Sequence, residues 1–189
     1  KESNAVTISA NANAMEENLR IEVTQLAQAE LRQSSKEDLD RAKTLSDLGL
    51  TEDRIVFEIG DAKGDKAITL DKNAKLADLF DAVNRNSDAN ATMRLNEITN
   101  KVEIIGKKAG VGHELNLSDS FSALGFEEGS VVKEAKNAIV HINGIEVKDV
   151  NSNTFTRNGI TYTLNQTTTD AITVSLKKDI DTGVENVKT

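Results

Sequence analysis

Cysteine, proline and tryptophan are all absent from this chain of 189 residues. Without a thiol there is no disulfide, no thiolate metal site and no cysteine nucleophile, although the compartment stays open. Without proline no X-Pro bond can isomerise slowly, and loops must be shaped by Gly, Asn and Asp. Such a chain suits a protein that travels unfolded and folds at its destination. Aromatic residues make up only 3%, so the core must be aliphatic, built from Val, Ile, Leu and Ala. Positive charge is also short, with 23 Lys and Arg against 31 Asp and Glu and a net charge of −8. That balance argues against nucleic acid, because phosphate contacts need clustered cations. The pairs Lys107–Lys108 and Lys177–Lys178 are too small to change it. No apolar run reaches membrane-spanning length and no signal peptide is legible, so membrane insertion is not expected. The chain starts at Lys1 rather than Met, which reads as an excised fragment.

What is present is enough for a folded body. At 38% hydrophobic and 29% charged, the chain can bury a core as one large domain or two small ones. Alternation of apolar residues marks strands around Val6 and Ile8 and around Leu19, Ile21 and Val23, and "QLAQAELRQSS" reads as a continuation of strand. "SKEDLDRAKTLSDLGL" has a Ser-x-x-Asp start and a Leu-Gly stop, the pattern of a short helix or a linker with a helical turn. A hairpin follows, with strands 55–59 and 67–70 around a turn from Gly60 to Asp65. Leu76, Leu79, Phe80 and Val83 stand at i, i+3, i+4 and i+7 and predict a helix over 76–84. Strands at 92–96 and 102–105, a short strand and helix ending at Gly125, and a connector over 126–136 complete the middle. Beyond it, Asn143–Gly144 and Asn158–Gly159 are each flanked by alternating residues. Asn-Gly tolerates the positive φ of a type I′ turn, so this stretch reads as two hairpins in series, a meander with one buried face. "DAITVSLKKD" is expected to be the last strand.

The outer pieces each hold too few strands to hide a hydrophobic face alone. The expected fold class is therefore α+β, mostly antiparallel β, in two β-rich domains. Residues 1–36 and 137–182 form a discontinuous β domain, 37–136 an inserted α+β domain, and 183–189 begin a linker to an absent helical part.

Residues able to carry chemistry are sparse. His113 and His141 are the only histidines, and both read as surface residues, His113 in a loop after "GVG" and His141 in the solvent-facing phase of a strand. "GDAKGDK" and "GKKAGVG" match neither phosphate-loop pattern and read as turns. Asp61 with Asp65, or Asp179 with Asp181, lack the spacing and terminal Glu of a calcium loop. No carboxylate pair can be placed across a cleft, so a wall- or glycan-degrading enzyme is the most distant reading. No catalytic, cofactor or metal residue is assigned, and no cofactor is expected.

The stretch "NAIVHINGIEVKDVNSNTFTRNGITYTLNQTTTDAITVSLKKDID" resembles the bacterial flagellar filament-capping proteins, the hook-associated family also called FliD. The matching elements are Asn137–Ala138, Asn143–Gly144, Ser152–Asn153, Gly159–Ile160–Thr161 with Leu164, Thr167–Thr169, and Thr173–Val174 with Asp179. "LADLFDAVNRNSDANATMRLNEITNKVEIIGKKAG" is similar to the module in which a "LxDLxxAIN" helix leads to two strands, with Val83 and Gly106–Lys107 as mild departures. "TLSDLGL", "FSALGF" and the front segment also fit, so the resemblance spans nearly the whole chain as an outer-domain fragment. It implies a discontinuous domain with another inserted, and a non-enzymatic structural part at the extracellular flagellum tip. It further implies export without a cleaved signal peptide, and coiled-coil regions outside the fragment. The implied partners are flagellin, whose folding and polymerisation a homo-oligomeric ring would promote, further copies of itself, and an export chaperone. Two alternatives stay open: an adhesin-like module for host mucin or surface, and an outer domain of flagellin or of a hook–filament junction protein.

Overall fold

A computed structural model describes residues 4–179 and 183–188, with side chains described as far as Lys177. The chain divides into two compact units, Lys1–Gln28 with Lys136–Thr189, and Ala29–Ala135. In chain order the elements are β1 (Val6–Ala10), β2 (Glu17–Gln25), β3 (Ala29–Gln33), β4 (Ile55–Asp61) and β5 (Gly64–Leu70), then the helix α1 (Leu76–Asn84). There follow β6 (Ala91–Asn96), β7 (Lys101–Ala109), β8 (Asn116–Leu117), β9 (Val131–Lys133), β10 (Ile139–Ile142) and β11 (Ile145–Glu146). The last four are β12 (Thr154–Arg157), β13 (Ile160–Leu164), β14 (Ile172–Asp179) and β15 (Gly183–Lys188). Every strand pairing described is antiparallel, so the fold is α+β and mostly antiparallel β, as the alternation implies.

The first unit holds two sheets, β1-β13-β12 and β11-β10-β2-β14-β15. Alternation along β2 buries Leu19, Ile21 and Val23 while Asn18, Arg20 and Glu22 face solvent, the expected pattern of a sheet with one wet face. Val140, Val174 and Leu176 share the buried side, and Ile8, Phe155 and Tyr162 fill that of the smaller sheet. Phe155 and Tyr162 stack with centroids 5.0 Å apart. Both Asn-Gly turns form, with φ of 53° and 81° at Asn143 and Gly144 and 53° and 74° at Asn158 and Gly159. The meander does not. The hairpin β10–β11 belongs to the five-stranded sheet and β12–β13 to the three-stranded one. A local turn signal sets each hairpin, and it carries no information about which sheet the hairpin joins.

The second unit contains the sheets β6-β7-β3-β9 and β5-β4-β8, with α1 against them. Leu76, Leu79, Phe80 and Val83 are all buried, in one core with Phe57, Met93, Ile104 and Phe121. Asp78 accepts from the Lys75 N–H at the start of α1, placing a negative charge at the end where the helix dipole favours it. The stretch 35–50, read as a short helix or a linker with a helical turn, takes the second form, with bends and turns and a single 3₁₀ turn at Ser46–Leu48. Its carbonyls are engaged elsewhere: Lys43 O accepts from Leu76 N (2.8 Å) and Arg41 O from Ala77 N (3.0 Å). That stretch supplies the acceptors which the first turn of α1 cannot find within the helix.

Three further expectations are corrected. β3 pairs with β7 and β9, which moves the boundary from residue 36 to Gln28. The connector over 126–136 contains β9, held by backbone bonds although its sequence lacks alternation. The residues expected to begin a linker form β15, paired along β14, so β14 is not the last strand.

Candidate functional site

The motif residues of the last third of the chain converge on the backbone of β2 and its continuation. Asn143 Oδ1 accepts from Arg20 N at 2.9 Å while Asn143 N donates to Arg20 O at 2.8 Å. Thr168 Oγ1 accepts from Val23 N at 2.9 Å, and Thr168 N donates to Val23 O at 2.8 Å. Asn153 goes further, since its carboxamide alone replaces a strand: Oδ1 accepts from Ala27 N at 2.7 Å and Nδ2 donates to Ala27 O at 3.0 Å. Each lies where a neighbouring strand has run out. β14 stops pairing at Ile21, and Thr168 takes over at Val23. The β10 pairing ends at Ile142 with Ile21, and Asn143 carries it to Arg20. Left unpaired, the part-buried groups of Val23 and Ala27 would incur part of the desolvation penalty of a buried polar atom. These Asn and Thr residues therefore do structural work.

The histidines are placed differently from each other, and His113 differently from expectation, while His141 keeps the phase opposite Val140. His113 is buried, with Nδ1 2.8 Å from Asp61 Oδ2. Asp61 Oδ1 accepts from Lys63 N at 2.8 Å and from Asn90 Nδ2 at 3.2 Å. Burial alone would raise the Asp61 pKa. The hydrogen bonds from His113, Lys63 N–H and Asn90 outweigh it and hold the carboxyl below its ordinary value. Asp61 thus ties the β4–β5 turn to the 110–115 loop, facing inward instead of forming an open pair with Asp65. His141 is half-buried, opposite Glu22 on β2 and Glu146 on β11, and its Nδ1 is shielded without a hydrogen-bond partner. It lines a groove of about 420 Å³ with Arg20, Glu22, Asn143, Gly144 and Ala171.

A part-buried ion pair was not legible in the sequence. Glu30 Oε1 meets Arg32 Nε, Glu30 Oε2 accepts from Leu115 N, and Arg32 Nη2 donates to Leu115 O. The pair holds both backbone polar groups of Leu115, its N–H and its C=O, and only the i, i+2 spacing of opposite charges on a strand could have hinted at it. "GDAKGDK" forms the β4–β5 hairpin turn, and "GKKAGVG" spans the end of β7 and the turn after it. Among the described residues no three His, Cys, Asp or Glu side chains gather to hold a metal ion, and no helix is long and apolar enough to cross a membrane. The pair Asp179 and Asp181 lies outside the described side chains.

Two antiparallel units whose motif residues Asn143, Asn153 and Thr168 are spent on backbone pairing make a scaffold-like class of fold. The comparisons give that class a particular form. The chain is 29% identical over 163 residues to flagellar hook-associated protein 2 of Thermotoga maritima, covering 82% of this chain and 26% of that protein. It therefore spans about a quarter of that relative's length. Its fold matches the D2-D3 domains of the flagellar cap protein FliD from Escherichia coli, with a TM-score of 0.78 at 22% identity over 94% of this chain and 96% of the other. The D2-D3 domains of Serratia marcescens FliD match with a TM-score of 0.72 at 20% identity, over 98% of this chain and 100% of theirs. No family model matches the chain. The resemblance read from the motifs is borne out by these likenesses.

Proposed function

We propose that this chain is the outer, two-unit part of a flagellar filament cap, a structural component with no turnover of its own. The observation that carries the reading is the agreement of fold across nearly the whole chain with cap-protein outer domains, joined to the sequence likeness to hook-associated protein 2. All three likenesses are to hook-associated or cap proteins, which favours a cap over flagellin or a junction protein. On this reading the complete protein sits at the extracellular tip of the filament, closes into a ring of identical subunits by head-to-tail contacts, and helps flagellin fold and polymerise. An export chaperone delivers it unfolded. An isolated acidic fragment of this kind repels its own copies, so it stays monomeric or weakly associated when dilute.

The experiment is a domain exchange. An Escherichia coli strain lacking its cap protein receives a chimera in which this chain replaces the native D2-D3 domains. Restored filaments and swimming support the reading. Export of the chimera with flagellin still lost to the medium overturns it for these domains.

A further inference from the structure

We propose that Asn158, in the turn between β12 and β13, is a site of spontaneous deamidation, and that the fold shields the chemically equivalent Asn143 from the same reaction. Asparagine followed by glycine is the sequence most open to it, because no side chain on the glycine screens the backbone nitrogen that attacks. The chain has two such pairs, Asn143–Gly144 and Asn158–Gly159. Both take the same positive-φ turn, at 53° and 81° and at 53° and 74°. Both asparagines are exposed, so neither turn type nor exposure separates them. Hydrogen bonding does. Asn143 Oδ1 accepts from Arg20 N at 2.9 Å, and Asn143 N donates to Arg20 O at 2.8 Å. Among the described residues the Asn158 carboxamide has no hydrogen-bond partner. Gly159 packs against Asn11 and Ala14 closely enough to exclude a side chain, and its carbonyl accepts from Asn11 N at 2.9 Å. Those contacts hold its Cα and carbonyl. The attacking nitrogen belongs to the preceding peptide, which can turn between its two Cα atoms without disturbing them.

The reaction needs only water. The Gly159 nitrogen bonds to Cγ of Asn158, the Cγ–Nδ2 bond breaks, and ammonia leaves with the proton of the former N–H. Water then opens the succinimide ring at either carbonyl, giving aspartate or isoaspartate with no change of oxidation state. In a left-handed Asn the carboxamide lies away from the next nitrogen, so ring closure waits for the intervening peptide to turn over. At Asn158 that motion and rotation of a free carboxamide suffice. At Asn143 the carboxamide must first leave Arg20 N. Losing one such bond slows the reaction about five-fold. Either product adds negative charge to a chain already at −8. Isoaspartate also adds a carbon to the turn backbone, and turn length sets the register that stacks Phe155 on Tyr162. The modification therefore loosens the sheet β1-β13-β12. The site stands independently of the cap reading.

The test incubates the whole chain at mildly alkaline pH and then cleaves at lysine, which puts Asn143 on peptide 137–148 and Asn158 on peptide 149–177. Mass spectrometry with fragmentation locates each amide converted to acid, and an isoaspartyl methyltransferase with labelled S-adenosylmethionine scores isoaspartate. Conversion at Asn158 about five-fold or more faster than at Asn143 in the folded chain, with matching rates in concentrated guanidinium, supports the inference. Methyl label confined to 149–177, and lost in Asn158→Gln, supports it as well. The deamidated fraction, separated by anion exchange, should melt at a lower temperature than the intact chain. Equal or faster conversion at Asn143 in the folded chain overturns the inference, as does no conversion at Asn158 over a period in which the unfolded chain has reacted. A contrast that persists in guanidinium would belong to local sequence and overturn the shielding. An unchanged melt of the deamidated fraction would overturn the loosening of the sheet.

Discussion

Tyr162 is the only tyrosine in a chain without tryptophan, so its phenol can be titrated by absorbance free of interference. It is buried on β13, stacked on Phe155 and paired across the sheet with Ile8. Burial, and after it the negative charge of Glu17, push its pKa up to about 12. The folded chain thus favours the neutral phenol more than the unfolded chain does. The linked stability is fully present below the unfolded value near 10 and is lost as pH rises through about 12. A shift of this size corresponds to roughly 2–3 kcal/mol, a sizeable part of the stability of a small unit. In the native chain phenolate should appear only near pH 12, or together with loss of circular dichroism if unfolding comes first. In concentrated guanidinium the same phenol should titrate near 10. Tyr162→Phe should remove the pH dependence of stability between those values. A reversible midpoint near 10, with circular dichroism unchanged, would refute both the burial and its energetic consequence.

Phe80→Ala should cost roughly 3–5 kcal/mol in chemical denaturation, because the ring is fully buried in the core of the second unit, and a loss below about 1 kcal/mol would contradict that placement. Asn153→Ala strips both bonds from Ala27 and should cost roughly 1–3 kcal/mol, whereas a change indistinguishable from zero would show that water replaces the carboxamide freely. Deleting residues 29–135 and joining Gln28 to Lys136 through a short Gly-Ser turn should leave a cooperatively melting β protein. Those two residues already exchange backbone bonds of 2.9 Å in both directions, and a non-cooperative melt would mean that the first unit cannot stand alone. For Asp61, whose folded pKa lies below its unfolded one, the linked stability is present above about pH 4 and falls as pH drops through the lower folded value. Asp61→Asn should flatten that acid-side dependence, and an unchanged acid profile would count against the bond to His113.

Wherever structure follows from neighbours along the chain, the sequence by itself determined it. The stripe Leu76, Leu79, Phe80 and Val83 could only be a one-sided helix, and it is. Alternation placed β1, β2, β4 and β7, and the two Asn-Gly pairs placed their turns, because a period and a positive φ are local properties. The motif residues Asn143, Asn153 and Thr168 were visible as a pattern, but what they bind was not. Their partners lie 123, 126 and 145 residues away. Tertiary structure alone decided that the two hairpins join different sheets, that β3 leaves its neighbour β2 for β7, and that 41–43 gives its carbonyls to α1 in place of forming a helix. It also turned His113 from a loop histidine into the buried partner of Asp61. Each of these outcomes depends on which backbone groups and charges remain unpaired when distant segments meet, a quantity that no window of sequence contains.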